Sequence, residues 1–431
     1  MTDIHTEFID LSQLRLGMFV YLDMGWMEHP FPVSNFKIGS QKQIDTLRAL
    51  GLERIRYAPA KSTPVSDTTE APPASSSPAA AVAAQPDNPE ETEVRQRREL
   101  LASQAHSLQV CEKQFGHAAQ TYRQVTEQVH AQPIHAAELT SGLIQSFLGQ
   151  ILGEEDAAIR LLSEKAGEKN SLHSINVTVI SLLLGKTLKL DKTDMLQLGI
   201  GAMLHDIGKI DLPDRLHWID KHFSPAEKQL YQEHVSHGVA LGRKMELAPP
   251  ALLMIAQHHE FSNGSGYPSH ISEEKMLTLS RILSLVNHYD NICNPANPVE
   301  AITPHEALSL LFTQQKSLFH GPTLTAFIRM MGIYPPGSVV QLSDGRYAIV
   351  ASVNSARPIK PNVVIHDPSV PKEEALVVNL EHEKELCIHR SLKPLQLPKA
   401  AYDYLSPRKR LCYFFERGLD AGNELMPESL L

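Results

Sequence analysis

No run of eighteen consecutive apolar residues occurs in this sequence, and its opening, MTDIHTEF, lacks a basic segment leading into an apolar core. The first absence excludes a membrane-spanning helix and the second a standard export signal, so a cytoplasmic location is expected. Cysteine is scarce. Its four positions, Cys111, Cys293, Cys387 and Cys412, are far apart with no CxxC pair, which reads as free thiols in a reducing compartment. Positive charge is also short: 40 Lys and Arg stand against 49 Asp and Glu, a net charge of -9. A general binder of nucleic-acid polymers needs a basic footprint, and none is present. What remains is ordinary globular material, 42% hydrophobic and 21% charged, in 431 residues that allow two or three domains.

Histidine is the residue that is present in a pattern. The stretch LGIGAMLHDIGKI, residues 198–210, sets His205 beside Asp206 in a run of helical character. Lys209 follows about one turn later on the same face. Gly199, Gly201, Ala202 and Gly208 leave room for neighbouring helices. An imidazole next to a carboxylate suits a divalent metal of intermediate hardness, although such a pair alone is more often a helix end or an ion pair. The partners strengthen the metal reading. His173 opens an apolar stripe with Val177, Ile180 and Leu184. His234 lies in YQEHVSHG, and His258 and His259 end the apolar run LLMIA. His217, His222 and His237 sit in polar surroundings and read as solvent-exposed bystanders. Several inward-facing histidines would each need a partner if buried separately, and one shared metal centre is the simpler account.

The order H…HDIGK…H…HHE…GSGYP across an all-helical region resembles the HD-GYP family of metal-dependent cyclic dinucleotide phosphodiesterases, within the wider HD phosphohydrolase superfamily. The resemblance covers roughly 165–335 and includes the namesake segment Gly264-Ser265-Gly266-Tyr267-Pro268. It implies a mainly α fold that holds two divalent ions, with Fe or Mn favoured by the mixed N/O donors and Zn or Co also compatible. It further implies that His173, His205 and Asp206 hold one ion, that Asp206 bridges, and that His234, His258 and His259 hold the other. Lys209 would contact the phosphate. Gly264, Gly266, Tyr267 and Pro268 would shape the substrate-binding mouth, with the Tyr267 ring near a guanine. Cyclic di-GMP is the expected substrate and linear pGpG the product, because the Glu that accompanies a third metal in the family is Lys169 here.

Three positions depart from the family pattern. The first residue of the usual Asp-x-x-Asp pair is Asn287, a ligand position without charge, while Asp290 is retained. The usual RPYR is replaced by Ala296-Asn297-Pro298-Val299, which removes both phosphate-holding arginines. Asn263 stands where an acidic residue precedes the GYP motif. Reduced activity is therefore expected. A second reading is a degenerate relative that binds metal or nucleotide and acts as a signalling scaffold, and a third is an HD hydrolase of another nucleotide.

Around this region, residues 1–58 read as a small α+β domain, similar to one often found ahead of such phosphodiesterases, with a helix from Ser40 to Gly51. Trp26 and Phe31 read as its core, and the domain itself is a candidate contact for a signalling partner. Residues 59–92, rich in Pro, Ala and Ser, read as a flexible linker. Residues 93–164 read as a helical connector that forms a collar, a homodimer interface or plain support. Residues 336–399 read as a β-rich appendage with a hairpin turn at Asp344-Gly345. The tail 400–431 carries RKRLCYFFERG, which reads as a terminal helix packing back on its domain, with contact to a membrane or partner as the alternative.

Overall fold

A computed structural model describes residues 6–22, 35–39, 41–49, 52, 54–62, 89–153, 157–163, 169–218, 222–354, 360–383 and 385–417. Trp26, Phe31, Ser40, Gly51, linker residues 63–88, the Lys169 side chain and residues 418–431 lie outside the described part. The chain divides into two compact units, Met1–Gln85 and Pro86–Leu431.

The first unit is α+β. Strands β1 (Glu7–Asp10), β2 (Phe19–Tyr21), β3 (Asn35–Lys37) and β4 (Arg54–Tyr57) form an antiparallel sheet in the order β1-β4-β2-β3. Helix α1 (Gln41–Ala49) contributes Ile44 and Leu47 to a core completed by Val20, Ile38 and Ile55.

The second unit is mainly helical. It begins with α2 (Pro89–Gln128), α3 (Pro133–Ile151) and a short strand, β5 (Ala157–Leu161). The helices around the histidines are α4 (Lys169–Thr187), α5 (Lys192–Leu204), α6 (Pro225–Lys244), α7 (Pro249–Gln257) and α8 (Thr278–Cys293). Helices α9 (Pro304–Thr313) and α10 (Gly321–Met331) close the bundle. Local chemistry sets these starts. Asp191 accepts from the Asp194 amide to cap α5, and Ser224 with Glu227 forms a reciprocal capping box on α6. Proline occupies the first turn of α3, α6, α7, α9 and α10, where its missing N–H costs nothing. Helix α4 is in fact buried nearly all round: Ile175, Val177, Val179, Ile180, Leu182, Leu183 and Leu184 are buried, and so are the polar Ser174, Asn176, Thr178 and Ser181. This is the signature of a central helix, and α4 is the core on which the others pack. Among the described residues no helix is long and apolar enough to cross a membrane.

The remaining strands are β6 (Val339–Leu342), β7 (Tyr347–Asn354), β8 (Asn362–Ile365), β9 (Val377–Asn379), β10 (Ile388–Leu392) and, after helix α11 (Lys399–Leu405), β11 (Tyr413–Arg417). The sheet runs β10-β6-β7-β5-β11, with β8 and β9 extending from β7. The turn between β6 and β7 contains Asp344-Gly345 as expected, with Gly345 at φ 90°. Two readings fail here. The connector 93–164 is not helical throughout, because 157–161 is a strand, and the tail segment is not a helix but β11, its antiparallel partner. Both contain residues tolerated in helices, and the pairing that decides otherwise joins segments remote in sequence. Phe414 and Phe415 are buried, meeting Phe147 edge-on at 5.5 and 5.3 Å. Arg160 donates to both carboxylate oxygens of Glu416 at 2.8 and 2.9 Å in the dry interior, which pins the register of the pair.

Candidate metal centre

The centre starts where α5 stops. Helical geometry ends at Leu204, His205 still has helical angles, and residues Ile207–Asp211 tighten into a 3-10 turn. The expected continuous helix would have stacked Lys209 over His205. The tighter turn instead brings Lys209 onto Asp206, Nζ to Oδ2 at 2.6 Å. Gly208 is required by a close approach. A β-carbon there would lie 2.1 Å from the His234 carbonyl oxygen and 2.3 Å from the Gly238 amide nitrogen. Its absence lets the turn lie flat on α6 and carries Asp206 to His234.

The Asp206 carboxylate sits between two histidine groups. Its Oδ2 is 3.4 Å from His205 Nε2 and 3.6 Å from His173 Nε2. Its Oδ1 is 3.5 Å from His234 Nε2 and 3.6 Å from His258 Nε2. The donor atoms of His173, His205 and Asp206 all fall within 4.8 Å of one another, and so do those of Asp206, His234, His258 and His259.

The proton positions in this cluster suit a cation. His205, His234 and His258 each donate Nδ1–H to a carbonyl three residues earlier, at 2.7, 2.6 and 2.7 Å. That fixes the tautomer and leaves Nε2 as a lone pair. Burial lowers the His205 pKa to about 4 and that of His234 to about 3, so both rings stay neutral near pH 7. Yet the Nε2 atoms of His173 and His205 are 3.2 Å apart, as are those of His234 and His258. Facing lone pairs at that distance repel. In addition, Asp206 Oδ1 and His259 Nε2 are buried without a hydrogen-bond partner. Buried acceptors left in this state are costly, and divalent cations at the two foci satisfy all of them with nitrogen and oxygen donors. Burial opposes ionisation of Asp206, but the Lys209 ammonium outweighs it and holds the carboxyl well below its usual range.

His173 is oriented from outside. Its Nδ1 donates to Asp290 Oδ2 at 2.6 Å, while Asn287 Oδ1 lies 3.0 Å from its Nε2. Asn287 thus faces the cluster, and its Oδ1 also accepts from Asn291 at 2.8 Å. Asp290 is itself clamped: Asn176 and Asn294 each donate to its Oδ1 at 2.9 Å. The same two amides reach the Leu411 carbonyl at 2.8 and 3.0 Å, and the Leu411 and Tyr413 amides donate back to Asn294 and Asn176. This buried clamp was not readable beforehand, since asparagines in helices carry no local signal for it.

The GSGYP loop is seated on the double histidine. A β-carbon on Gly266 would lie 2.4 Å from the His259 carbonyl oxygen, and the Tyr267 ring stacks on His259 at 4.4 Å. Gly264 turns at φ +77° and Pro268 follows a cis peptide bond. Glu260, the third residue of the HHE run, accepts the Ser269 and Ile271 amides at 2.6 and 3.2 Å and anchors the loop. Of the four loop residues expected to shape the mouth, Tyr267 is the one that lines the neighbouring cavity.

That cavity, about 440 Å³, is bounded by His173, Lys209, Trp218, Tyr231, Tyr267 and Ala296 among others. A second, about 220 Å³, shares His173, Lys209 and Trp218 and adds Asp206 with residues of α2. His217 and His222, read from sequence as bystanders, line the second and the first cavity respectively. Polar neighbours marked them as exposed but gave no hint that the exposed surface is concave.

Residues 156–324 match the HD domain family, and residues 7–139 match DUF3391, described as a domain of unknown function. The chain is 24% identical over 361 residues to a cyclic di-GMP phosphodiesterase of Pseudomonas aeruginosa, covering 83% of this chain and 84% of that one. It is 28% identical over 149 residues to a cyclic di-GMP phosphodiesterase response regulator of Xanthomonas campestris, covering 34% and 39%. A solved structure of an HDG"Y"P protein from Bdellovibrio bacteriovorus aligns over 75% of this chain and 98% of that one, with 16% identity and a TM-score of 0.41.

Proposed function

We propose that this chain, an HD-domain protein of the HD-GYP kind, is a metal-dependent phosphodiesterase that opens cyclic di-GMP to linear pGpG. The observation that carries the reading is the Asp206 carboxylate, each oxygen of which faces its own pair of histidine Nε2 atoms. In this reading His173, His205 and Asp206 hold one divalent ion, with Asn287 at its edge, and His234, His258, His259 and Asp206 hold the other. Fe and Mn fit the donors best. When bound, such a pair activates water for in-line attack on phosphorus and neutralises charge on the phosphoryl oxygens.

The chain's own residues do the rest. Asp290 and the three backbone carbonyls accept from the imidazole Nδ1–H groups and aim the Nε2 atoms inward. Lys209 lines both cavities while tied to Asp206 and is placed to meet a phosphoryl oxygen. Tyr267, backed by His259, offers a flat wall for a base. Ala296 lines the larger cavity where the family pattern has an arginine, and a raised KM is the consequence. The absence of a carboxylate at Asn287 lowers metal affinity.

The alternative is a scaffold that keeps metal or nucleotide binding without turnover and signals through its N-terminal unit. Counting metals in the purified protein and incubating it with cyclic di-GMP separates the two. Two metals with pGpG release support the phosphodiesterase; tight dinucleotide binding without product supports the scaffold.

A further inference from the structure

Tyr231 lies three residues before His234 in YQEHVSHG and belongs to none of the family motifs. At that spacing on α6 the two share a face, and the Tyr231 carbonyl accepts from His234 Nδ1. The ring is 4% exposed and packs with Leu212 and Leu216. A buried tyrosine needs a partner for its hydroxyl. Here the partner is Lys209, whose ammonium sits 5.3 Å from the ring centroid and hydrogen-bonds to the phenol. Both residues line the larger cavity.

The chemistry of this contact sets where the phenol hydrogen goes. An ammonium has three N–H donors and no acceptor. The Tyr231 oxygen therefore accepts from Lys209, and its own O–H turns away from the lysine. The hydrogen is not spent on the near carboxylate, because Asp206 Oδ1 has no hydrogen-bond partner and Oδ2 is taken by Lys209 at 2.6 Å. It faces the cavity that both residues line. With one N–H on Asp206 and one on Tyr231, Lys209 keeps a third. An anion seated there meets that N–H and the phenol O–H side by side, one from the 3-10 turn and one from α6. A single guanidinium gives a phosphate the same two-point contact, and the arginines of the family pattern are absent at Ala296 and Val299.

We infer that the Tyr231 hydroxyl donates a hydrogen bond to a non-bridging oxygen of the dinucleotide phosphate that Lys209 meets, so that the pair recovers part of the grip lost with the arginines. The inference rests on the cyclic dinucleotide reading above. It is tested in the full chain by Tyr231→Phe, which keeps the packed ring and removes only the O–H. Kd for cyclic di-GMP is measured by calorimetry without metal, kcat/KM with metal loaded, and metal retention against a chelator and melting temperature on the same samples. A hydrogen bond to a charged oxygen predicts Kd raised and kcat/KM lowered by about tenfold or more, with metal retention and melting temperature as in wild type. Unchanged Kd and kcat/KM, beside a wild type that binds the dinucleotide, overturn this inference alone. Weakened metal retention with an unchanged metal-free Kd means that the hydroxyl acts on Lys209 and Asp206 instead, and overturns it as well. So does a raised Kd that comes with a clearly lowered melting temperature, since that marks a disturbed core. A wild type that neither binds nor hydrolyses cyclic di-GMP overturns both this inference and the substrate reading.

Discussion

Asp290 Oδ2 lies 2.6 Å from His173 Nδ1, and this bond decides which nitrogen of His173 is left to face the metal focus. An acceptor behind a metal-binding imidazole raises its basicity and fixes its ring, and loss of such a partner typically weakens metal affinity about 10–100-fold. Asp290→Ala is expected to show a loss of that order in competition with a chelator. Asp290→Asn, which still presents an acceptor oxygen, should lose less. Equal metal retention in wild type and Asp290→Ala would mean that the bond does not control His173.

His205 and Asp206 stand where both donor groups meet. Replacing the two together by Ala should strip bound metal from both foci while far-UV circular dichroism keeps most of its helical signal, since α4 to α8 are packed through apolar side chains. Metal content equal to wild type in the double variant would remove the metal-centre argument.

Asn287 offers an oxygen at 3.0 Å from His173 Nε2 and receives a hydrogen bond from Asn291 at 2.8 Å. Asn287→Asp places a carboxylate at that edge with a donor already in reach, so its charge is not left bare. Tighter metal retention and faster hydrolysis are expected, through attraction to the cation in a partly dry site. A drop in melting temperature with no change in chelator resistance would place Asn287 outside the coordination sphere and identify a buried unpaired charge.

The metal-free protein should lose stability in mild acid. Burial holds His205 near 4 and His234 near 3 in the folded state, against about 6.5 in an unfolded chain. Between those values the unfolded chain binds more protons, so stability falls as pH drops below about 6.5 and continues to fall towards the folded pKa values. Thermal melts of metal-free wild type from pH 7 to 4.5 should show a steady decline, and His205→Gln should flatten part of it. A melting temperature independent of pH over that range would contradict neutral burial of these rings.

Much of the centre was legible because its chemistry is carried by residue type and order. His173, His205, Asp206, His234, His258 and His259 all converge as the spacing implied, and the GSGYP loop lies beside them. What escaped notice depends on contacts between distant segments or on small changes in helical pitch. The 3-10 turn after Asp206 moved Lys209 to a different partner, and the sequence IGKID does not advertise a change from 3.6 to 3 residues per turn. Strands β5 and β11 were missed because each is short and meets its partner 256 residues away, as Arg160 and Glu416 show. The placement of α2 was open for a related reason, since Ala119 and Tyr122 lie on an amphipathic helix of ordinary composition and only the fold brings them to a cavity that Asp206 also lines.

The clamp from Leu411 to Asp290 has a consequence for the order in which this protein comes into being. Synthesis delivers His173, His205, His234, His258 and Asn287 long before residues 411–417, and the helices that carry them have ample local contacts to form early. Asp290 nevertheless shares its amide partners Asn176 and Asn294 with the Leu411 backbone. A nascent chain that stops at residue 410 has the ligands but not the backbone that seats those amides, and β5 lies without its edge partner. Maturation of the centre is thus coupled to the arrival of residues 411–417, so metal captured before that point meets a site whose His173 is still loosely aimed.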